Sequence, residues 1–257
     1  MRIPASARTF FFLSFPKLIG MLLILISLFI SCSKENRWDC IKRTGEKSSQ
    51  QRILPPFNKI FMKDNIDVYI TQGPVQDVRV EAGKNLVSLI KTEVSDGMLT
   101  LKNDNKCNWM RNYKNGTISV YITMPQIRYV YNYGSGEIKG TNSLSCDTLD
   151  ILTNESGDVE FSLTARVVFL HLNSTSDVTL HGTAPILGIS HEGEGYLYCN
   201  DLLTNITWSH SHASGNEYLN VQNGLYVTID WAGNIYYTGN PTTELKGNGI
   251  GQLIKEN

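Results

Sequence analysis

The sequence predicts an all-β domain wound as a parallel β-helix, a solenoid whose coils have about 19 residues. Three observations lead to this fold class. Short stretches alternate apolar and polar residues, which is the period of a half-buried strand. No stretch carries the longer periodicity of an extended amphipathic helix. The second half of the chain repeats one turn motif at nearly constant spacing, which is typical of stacked repeat architectures.

The first half of the chain contains the clearest single strands. Residues 66–70 alternate Ile66, Val68 and Ile70 with more polar neighbours, and the Gln-Gly-Pro at 72–74 ends the run. Residues 118–122 alternate in the same way. Residues 84–91 have apolar residues spaced for one or two helical turns. We therefore expect short strands joined by turns.

The repeat is marked by turns of small residues, most of them followed by Asp, Glu or Asn. One residue of each turn serves as an anchor, and consecutive anchors lie 18 to 21 residues apart. A coil of this length cannot bury its apolar positions alone, whereas stacked coils bury them and pair their strands in parallel. The anchors are Gly136, Gly157, Ser176, Gly195, Gly215, Gly233 and Gly251.

Equivalent positions of the repeat share their chemistry, as stacking requires. Six of seven residues two places after the anchors are aliphatic, and so are six of seven residues six places before them. The exceptions, Glu217 and Ser209, both flank the Gly215 turn, so we expect a one-residue insertion that lets Tyr218 and Trp208 fill the core. The two sets are Ile138, Val159, Val178, Leu197, Glu217, Ile235 and Leu253, and Val130, Ile151, Leu170, Ile189, Ser209, Val227 and Leu245.

The turn residues suggest how each corner is stabilised. Glycine at the turns is expected to adopt positive φ, and the Asp, Glu or Asn beside it to bond local backbone groups. A β-sandwich or barrel is the rival interpretation, which hairpin turns every 8 to 12 residues or so would favour. The long repeat with stacked aliphatic residues outweighs it.

Residues 1–31 are predicted to be a secretory signal. They carry three basic residues and no acidic one, and an apolar run from 18 to 30 precedes Ser31 and Cys32. Residues 29–32, Phe-Ile-Ser-Cys, look like a bacterial lipobox, which predicts lipidation of Cys32. The alternative is an ordinary signal peptidase site that leaves Cys32 as a free thiol. The polar residues 33–36 directly after the cysteine favour lipidation.

Residues 32–52 are predicted to be the lipidated cysteine and a polar tether, and residues 53–257 the β-helix domain. A lipid anchor implies an outer membrane lipoprotein, exposed to the periplasm or at the cell surface. Lys34-Glu35 resembles a surface-routing tag, or else belongs to a solvated tether. The chain after residue 31 has 20 basic and 24 acidic residues, a net charge of −4, and no basic stripe, so we expect no nucleic-acid partner.

Several motifs together resemble the head GIN domain family of "putative auto-transporter adhesins". The resemblance covers about residues 52–257 and implies a right-handed β-helix-like fold and an envelope or surface location. The family name implies adhesion, and no catalytic residues come with the family. The matching motifs are residues 57–60 (Phe-Asn-Lys-Ile), 65–73, 96–99 (Asp-Gly-Met-Leu), 133–136 (Tyr-Gly-Ser-Gly), 236–241 and 249–255.

Four cysteines follow Cys32, and an oxidising export compartment permits disulfides. Cys40 and Cys107 both lie in polar, loop-like sequence and are predicted to pair. Cys146 and Cys199 lie more than two coils apart, beyond the limit of about 7 Å between the Cα atoms of a disulfide. They are predicted to be buried thiols.

Aromatic residues are the first candidates for ligand binding. Trp208, Trp231 and Tyr236 could stack on sugar rings if they share a face of the solenoid, as could Tyr131, Tyr133 and Tyr237. Packing within or between coils is the better explanation for each ring alone, but as a group the rings are expected to form one shared aromatic strip.

Histidines are the second candidates. His210 and His212 are two residues apart and therefore share a face of a strand. With His191 and Glu192 on a neighbouring coil they could hold a metal ion. Exposed polar positions of the repeat explain them much better, because facing pairs on a strand need no ligand, and we predict neither a metal site nor a cofactor.

A catalytic role is the weakest of the functional interpretations. Carbohydrate cleavage on a β-helix needs clustered carboxylates, or a base beside a positioned cation. Asp230 and Glu192 could neighbour His212, but no catalytic motif frames them. The sequence therefore predicts a non-catalytic envelope protein that binds glycan or protein surfaces. A purely structural envelope role is the second hypothesis and carbohydrate cleavage the third.

Overall fold

The computed structural model describes residues 44–106 and 118–256, and in them it shows an all-β protein with a single turn of 3-10 helix at Val87–Leu89. No helix in these two ranges is long and apolar enough to cross a membrane. The strands are β1 (Lys47–Gln51), β2 (Lys59–Asp64), β3 (Asp67–Gln72), β4 (Asp77–Gly83), β5 (Ile90–Ser95), β6 (Met98–Asn103), β7 (Ser119–Met124), β8 (Tyr129–Gly134), β9 (Ile138–Gly140), β10 (Leu144–Thr153), β11 (Val159–Leu172), β12 (Val178–Thr183), β13 (Ile186–His191), β14 (Leu197–Ser211), β15 (Glu217–Ile229), β16 (Ile235–Thr238), β17 (Thr242–Lys246) and β18 (Leu253–Lys255).

The chain forms a β-solenoid of about seven turns with coils of about 19 residues, as predicted. Stacked coils make two walls of parallel strands. The first wall runs through β3, β9, β11, β12, β14, β15, β16 and β18. The second wall runs through β2, β8, β10, β11, β13, β14, β15 and β17. The long strands β11, β14 and β15 contribute to both walls, and the core lies between them.

The N-terminal end of the stack is not purely parallel. In the first wall, β7 pairs parallel with β3, but β4 and then β1 extend the wall in antiparallel pairs. In the second wall, β6 pairs parallel with β2 and β5 follows it antiparallel. Antiparallel strand pairs therefore cover this end, while β17 and β18 are the last strands at the other end.

Strand β1 lies within the segment that we predicted as a tether, so the folded domain begins before residue 53. Residues 47–51 pair with β4 from Lys47 opposite Gly83 to Gln51 opposite Arg79. The sequence showed no apolar alternation here because β1 is an outer strand whose side chains are all at least partly exposed. Backbone pairing with β4 is enough to hold it.

The predicted stacking of the apolar positions is confirmed. Each residue two places after an anchor pairs with its equivalent in the next coil, from Ile138 opposite Val159 to Ile235 opposite Leu253. The residues six places before the anchors also stack in register, from Val130 opposite Ile151 onward. Most members of both columns are buried.

The anchor glycines are needed for a different reason from the predicted one. None of them is among the glycines with positive φ. Instead, successive turns approach so closely that a Cβ atom on Gly215 would collide with the carbonyl oxygen of Gly195, and one on Gly233 with that of Gly215. Glycine is retained at these corners because there is no room for a side chain.

The acidic and amide residues beside the anchors also act differently from the prediction. They bond the backbone of the next coil rather than their own turn. Asp158 Oδ1 accepts a hydrogen bond from the N–H of Asp177 at 2.9 Å, and Asp177 Oδ1 accepts one from Tyr196 at 2.8 Å. Asn216 and Asn234 continue the pattern at 2.9 Å each. These side chains therefore tie the stacked corners together.

The polar exceptions in the core are not displaced by an insertion, so that prediction was wrong. Ser209 pairs in register with Ile189, and Glu217 with Leu197. Both side chains point inward and are buried, while Trp208 and Tyr218 face outward. The register shifts lie elsewhere, between Cys199 and Leu203 and between Thr204 and Ile206.

Glu217 fits the core because a buried network satisfies it. Its carboxylate accepts a hydrogen bond from Ser209 Oγ at 2.7 Å and lies 3.3 Å from His191 Nδ1. His191 Nε2 lies 3.0 Å from the carbonyl oxygen of Gly195, which can only accept, so Nε2 carries a proton. His191 is fully buried rather than an exposed repeat position as expected.

The two cysteines that the structure describes differ in burial. Cys199 is a buried free thiol, as predicted, and burial raises its pKa. Cys146 is also free but only half-buried, because it lies near the end of the first segment of β10, where the strand turns towards the second wall. Cys32, Cys40 and Cys107 lie outside the described residues, so the lipidation and the Cys40–Cys107 disulfide stay predictions.

Candidate functional site

The outer surface of the second wall carries two parallel columns of side chains. Strand alternation turns the residues on either side of the buried Ser209 column outward. Because the strands stack in register, these residues form straight rows along the solenoid. The first row is Tyr129, Asp150, Phe169, Gly188, Trp208, Tyr226 and Glu244, and the second is Tyr131, Leu152, His171, Ser190, His210, Thr228 and Lys246.

A groove opens in this surface where the first row reaches Gly188. Its cavity volume is about 580 Å³. Phe169 lines one side, and Trp208 and Tyr226 line the other. The missing side chain at Gly188 therefore separates two sets of aromatic rings, and we call this feature the Gly188 groove. The second row lines the groove with His171, Ser190, His210, Thr228 and Lys246.

The aromatic rings of the Gly188 groove are accessible. Phe169 is 42% exposed and Trp208 is 46% exposed. Trp208 stacks on Tyr226 with ring centroids 6.0 Å apart and an interplanar angle of 17°, so one face of the indole is covered. On its other side the neighbour is Gly188, which has no side chain to cover it.

The Phe169 ring limits the space over Gly188. A Cβ atom at this position would lie 2.9 Å from Cδ1 of Phe169, so the Phe169 ring leans over the glycine. Two rungs separate Phe169 from Trp208, roughly 10 Å along the solenoid axis. The groove is thus an aromatic-sided cleft rather than a closed stack of rings.

Polar groups at the C-terminal side of the Gly188 groove are paired. His210 Nε2 lies 2.9 Å from Asp230 Oδ2, and this hydrogen bond holds the pKa of Asp230 below its ordinary value. Lys246 Nζ lies 2.7 Å from Glu244 Oε1. These side chains offer both donors and acceptors next to apolar ring faces, which is the composition of sites that bind sugars or other polar organic molecules.

The predicted ligand-binding residues are divided among three places. Trp208 and His210 line the Gly188 groove. His212 and Trp231 stack on one another at a corner of the solenoid, with ring centroids 5.6 Å apart. Tyr236 lies on the first wall. These residues therefore do not form the single aromatic strip that we expected. Within residues 44–106 and 118–256, no group of three or more His, Cys, Asp or Glu side chains is placed to hold a metal ion.

Tyr236 belongs to a ladder of stacked tyrosines on the first wall. Tyr218 stacks on Tyr198 at 5.4 Å and on Tyr236 at 5.0 Å, with interplanar angles of 7° and 10°. Tyr196 adds a further ring beside Tyr198 at 6.1 Å. Because consecutive coils each supply a ring, the rings cover each other's faces and leave mainly edges to solvent.

The comparisons with known proteins agree with this architecture. Residues 56–241 match the family model described as "Putative auto-transporter adhesin, head GIN domain". The chain belongs to this family. The head GIN domain assignment confirms the resemblance inferred from the sequence motifs. No curated protein matches the chain.

Solved structures show the same head GIN fold. A "putative adhesin" from Bacteroides fragilis is 26% identical, with a TM-score of 0.75, and the match covers 82% of this chain and 97% of that one. A "putative adhesin" from Parabacteroides merdae matches with 17% identity, a TM-score of 0.61, and coverage of 84% and 98%. A "putative lipid binding protein" from Parabacteroides distasonis matches with 16% identity, a TM-score of 0.65, and coverage of 83% and 98%. At such low identity the last two show the fold alone.

Among the residues that line the Gly188 groove, only Trp208 and His210 were predicted to bind a ligand, although the repeat contained the signal. Phe169, Gly188, Tyr226 and Glu244 all lie seven residues before their anchors, as Trp208 does. The columns two residues after and six residues before the anchors were compared for burial. The adjacent column would have shown the aromatic row and its interruption by glycine.

Proposed function

We propose that this head GIN domain protein is a non-catalytic adhesin of the cell envelope that binds glycans through the Gly188 groove. The observation that carries the proposal is the exposure of Trp208, 46%, across Gly188 from Phe169 and beside a row of hydrogen-bonding side chains. Sugar rings have apolar faces that stack on aromatic rings and hydroxyl groups that need polar partners. The groove supplies both in one place.

The composition of the groove favours binding over cleavage. Glycoside hydrolysis usually requires two carboxyl groups on either side of the scissile bond. Among the described residues that line the Gly188 groove, Glu244 alone has a carboxyl group, and it is paired with Lys246. The family name, which refers to adhesion, supports the same interpretation.

The proposed location follows from the N-terminal sequence. We propose that Cys32 is lipidated and anchors the protein to the outer membrane, either in the periplasm or at the cell surface. The family name supports an envelope location. Mass spectrometry of the N-terminal peptide from cell envelopes tests the anchor, because lipidation adds a defined mass to Cys32.

Ligand binding is tested with the full chain purified in a mild detergent. A glycan array identifies a ligand, and titration calorimetry then measures its affinity for matched variants. We expect Trp208→Ala to weaken binding at least tenfold, because Trp208 supplies the open aromatic face. Trp231→Ala is the control, since Trp231 is 55% exposed but lies outside the groove, and its affinity change should stay below twofold. Equal effects of the two variants, or no glycan bound at all, would contradict the proposal.

A further inference from the structure

An exposed apolar corner lies at the N-terminal end of the solenoid. The side chain of Ile53 is fully exposed and that of Val75 is 72% exposed. The neighbouring Pro55, Pro56 and Pro74 are exposed as well. Single exposed aliphatic residues are ordinary, but a cluster of this kind marks a surface that meets another apolar phase. We call these five residues the N-terminal apolar corner.

The N-terminal apolar corner is held rigidly by hydrogen bonds. Gln76 Nε2 donates to the carbonyl oxygens of Leu54 at 3.2 Å and Pro55 at 3.1 Å, and Gln76 Oε1 accepts from the N–H of Phe57 at 3.2 Å. The N–H of Arg52 donates to the carbonyl oxygen of Val78 at 2.8 Å. The two segments that carry Ile53 and Val75 are therefore tied to each other and to the outermost strands of the first wall.

The chain that leads to the anchor starts at this same end. β1 is the last strand of the first wall, and Ile53 follows it directly. Eleven residues lie between Cys32 and the first described residue, Thr44. Even fully extended they span at most about 40 Å. A lipid on Cys32 therefore keeps the N-terminal end of the solenoid within about 40 Å of the bilayer, and β17 lies a further nine rungs, about 43 Å, along the second wall.

We infer that the N-terminal apolar corner rests on the lipid bilayer that carries the anchor, so that the solenoid stands with its C-terminal coils away from the membrane. Branched aliphatic side chains and prolines can enter the headgroup region without leaving a charge or an unpaired donor in it. The Gly188 groove then lies well above the surface, since Phe169 is on the sixth strand of the second wall, roughly 24 Å from β5. This inference rests on the proposed lipidation of Cys32.

The orientation is tested by photo-crosslinking in the acylated full-length protein. The protein is reconstituted in vesicles of phosphatidylethanolamine and phosphatidylglycerol, with a benzophenone amino acid placed at Ile53 or at Ile250. Ile250 is the matched control because it is also an exposed isoleucine, 84% accessible, at the opposite end. After irradiation, mass spectrometry measures lipid adducts at each position.

We expect at least five times more lipid adduct at position 53 than at position 250. Equal labelling, or more at position 250, would overturn the inference, and so would a protein–protein adduct at position 53 as the main product. A second variant, Ile53→Asp with Val75→Asp, should lower lipid labelling from a benzophenone at Pro74 at least threefold while the protein still floats with the vesicles.

The inference and the proposed function fail in different ways. Loss of flotation together with an unmodified Cys32 would remove the anchor and with it the membrane contact. Glycan binding measured in detergent does not depend on either. A protein that floats and binds glycan but labels lipid equally from both ends would refute the orientation alone.

Discussion

The two walls of the solenoid both display aromatic residues, but the residues are arranged differently on each wall. On the first wall, Tyr198, Tyr218 and Tyr236 occupy consecutive coils, so each ring covers the next. On the second wall, Gly188 stands between Phe169 and Trp208 in the same kind of row. A glycine thus interrupts the aromatic residues on the second wall, whereas three successive rings stand on the first.

This contrast separates exposed aromatic residues into two kinds. A stacked ring contributes packing energy to the fold but offers a ligand only its edge. A ring beside a gap keeps a face available, and the ligand completes the stack. Counting aromatic residues on a surface therefore does not locate a binding site, whereas an interruption in the row does.

Both rows of aromatic residues depend on an intact core between the two walls. Disrupting the contacts that join the walls is expected to have the largest effect on the free energy of unfolding. Ser209 points inward from the second wall and Glu217 from the first, and their hydrogen bond joins them. Replacing Glu217 by Ala leaves His191 and Ser209 buried without their partner, so we expect the free energy of unfolding to fall by about 3 to 5 kcal/mol. Urea denaturation monitored by circular dichroism measures the change.

The control for this variant is Glu244→Ala, which removes an exposed glutamate from the second wall. Its cost should stay within about 0.5 kcal/mol, as for most surface substitutions. A triple variant, His191→Phe with Ser209→Val and Glu217→Leu, replaces the network by apolar residues and should recover much of the loss. A cost for Glu217→Ala similar to that of Glu244→Ala would show that the buried network does not hold the register.

The same residues explain how much of the fold could be predicted. The repeat spacing predicted the strands of both walls, because residues that stack on one another must be buried together. Val130 and Ile151, which pair in neighbouring coils, are one example. Glu217 was interpreted as a sign of an inserted residue, because burying a single charged side chain in an aliphatic column is costly unless the charge is paired. Its partner, His191, belongs to another coil, and the periodicity contains no information about such pairs.

The N-terminal strands and the groove escaped prediction for different reasons. β1 is polar and held by its backbone, so no side-chain pattern marks it. The groove depends on the absence of a side chain at Gly188, and glycine in a strand is ordinarily interpreted as a bulge or a weak point. Only the register of neighbouring coils shows that two aromatic residues flank it.

Opening the tyrosine ladder tests the structural half of the comparison. Tyr218→Gly removes two stacking contacts, each worth about 0.5 to 1.5 kcal/mol. We therefore expect the free energy of unfolding to fall by about 2 kcal/mol in total. Glycan affinity should change by less than twofold because the ladder lies on the other wall. Thermal and urea denaturation with calorimetric titration give both quantities. A large loss of affinity would mean that the ladder itself binds the ligand.

Filling the gap at Gly188 with a side chain tests whether the groove binds the glycan. Gly188→Tyr requires the Phe169 ring to move aside, because a Cβ atom there would lie 2.9 Å from Phe169 Cδ1, and the new ring then fills the gap next to Trp208. We expect glycan affinity to fall at least tenfold, or about 1.4 kcal/mol, because the open face of Trp208 is then covered. Trp231→Ala, which lies outside the groove, is again the control and should retain affinity within about twofold. If Gly188→Tyr bound as well as the native chain, the gap would not be the site.

The smallest expected effect concerns the charged pair beside the groove. The hydrogen bond from His210 lowers the pKa of Asp230 in the folded protein, whereas an unfolded Asp has its ordinary pKa of about 3.9. The unfolded chain then binds more protons, so this contribution to stability is present above about pH 4 and is lost as the pH falls through the lower folded-state pKa. The free energy of unfolding of the native protein should therefore decline more steeply below about pH 4 than that of His210→Gln, in which the carboxylate lacks a cationic partner. Because the pair is solvent-exposed, the difference should be small, and equal slopes in urea titrations at matched ionic strength would show that solvent screens the pair completely.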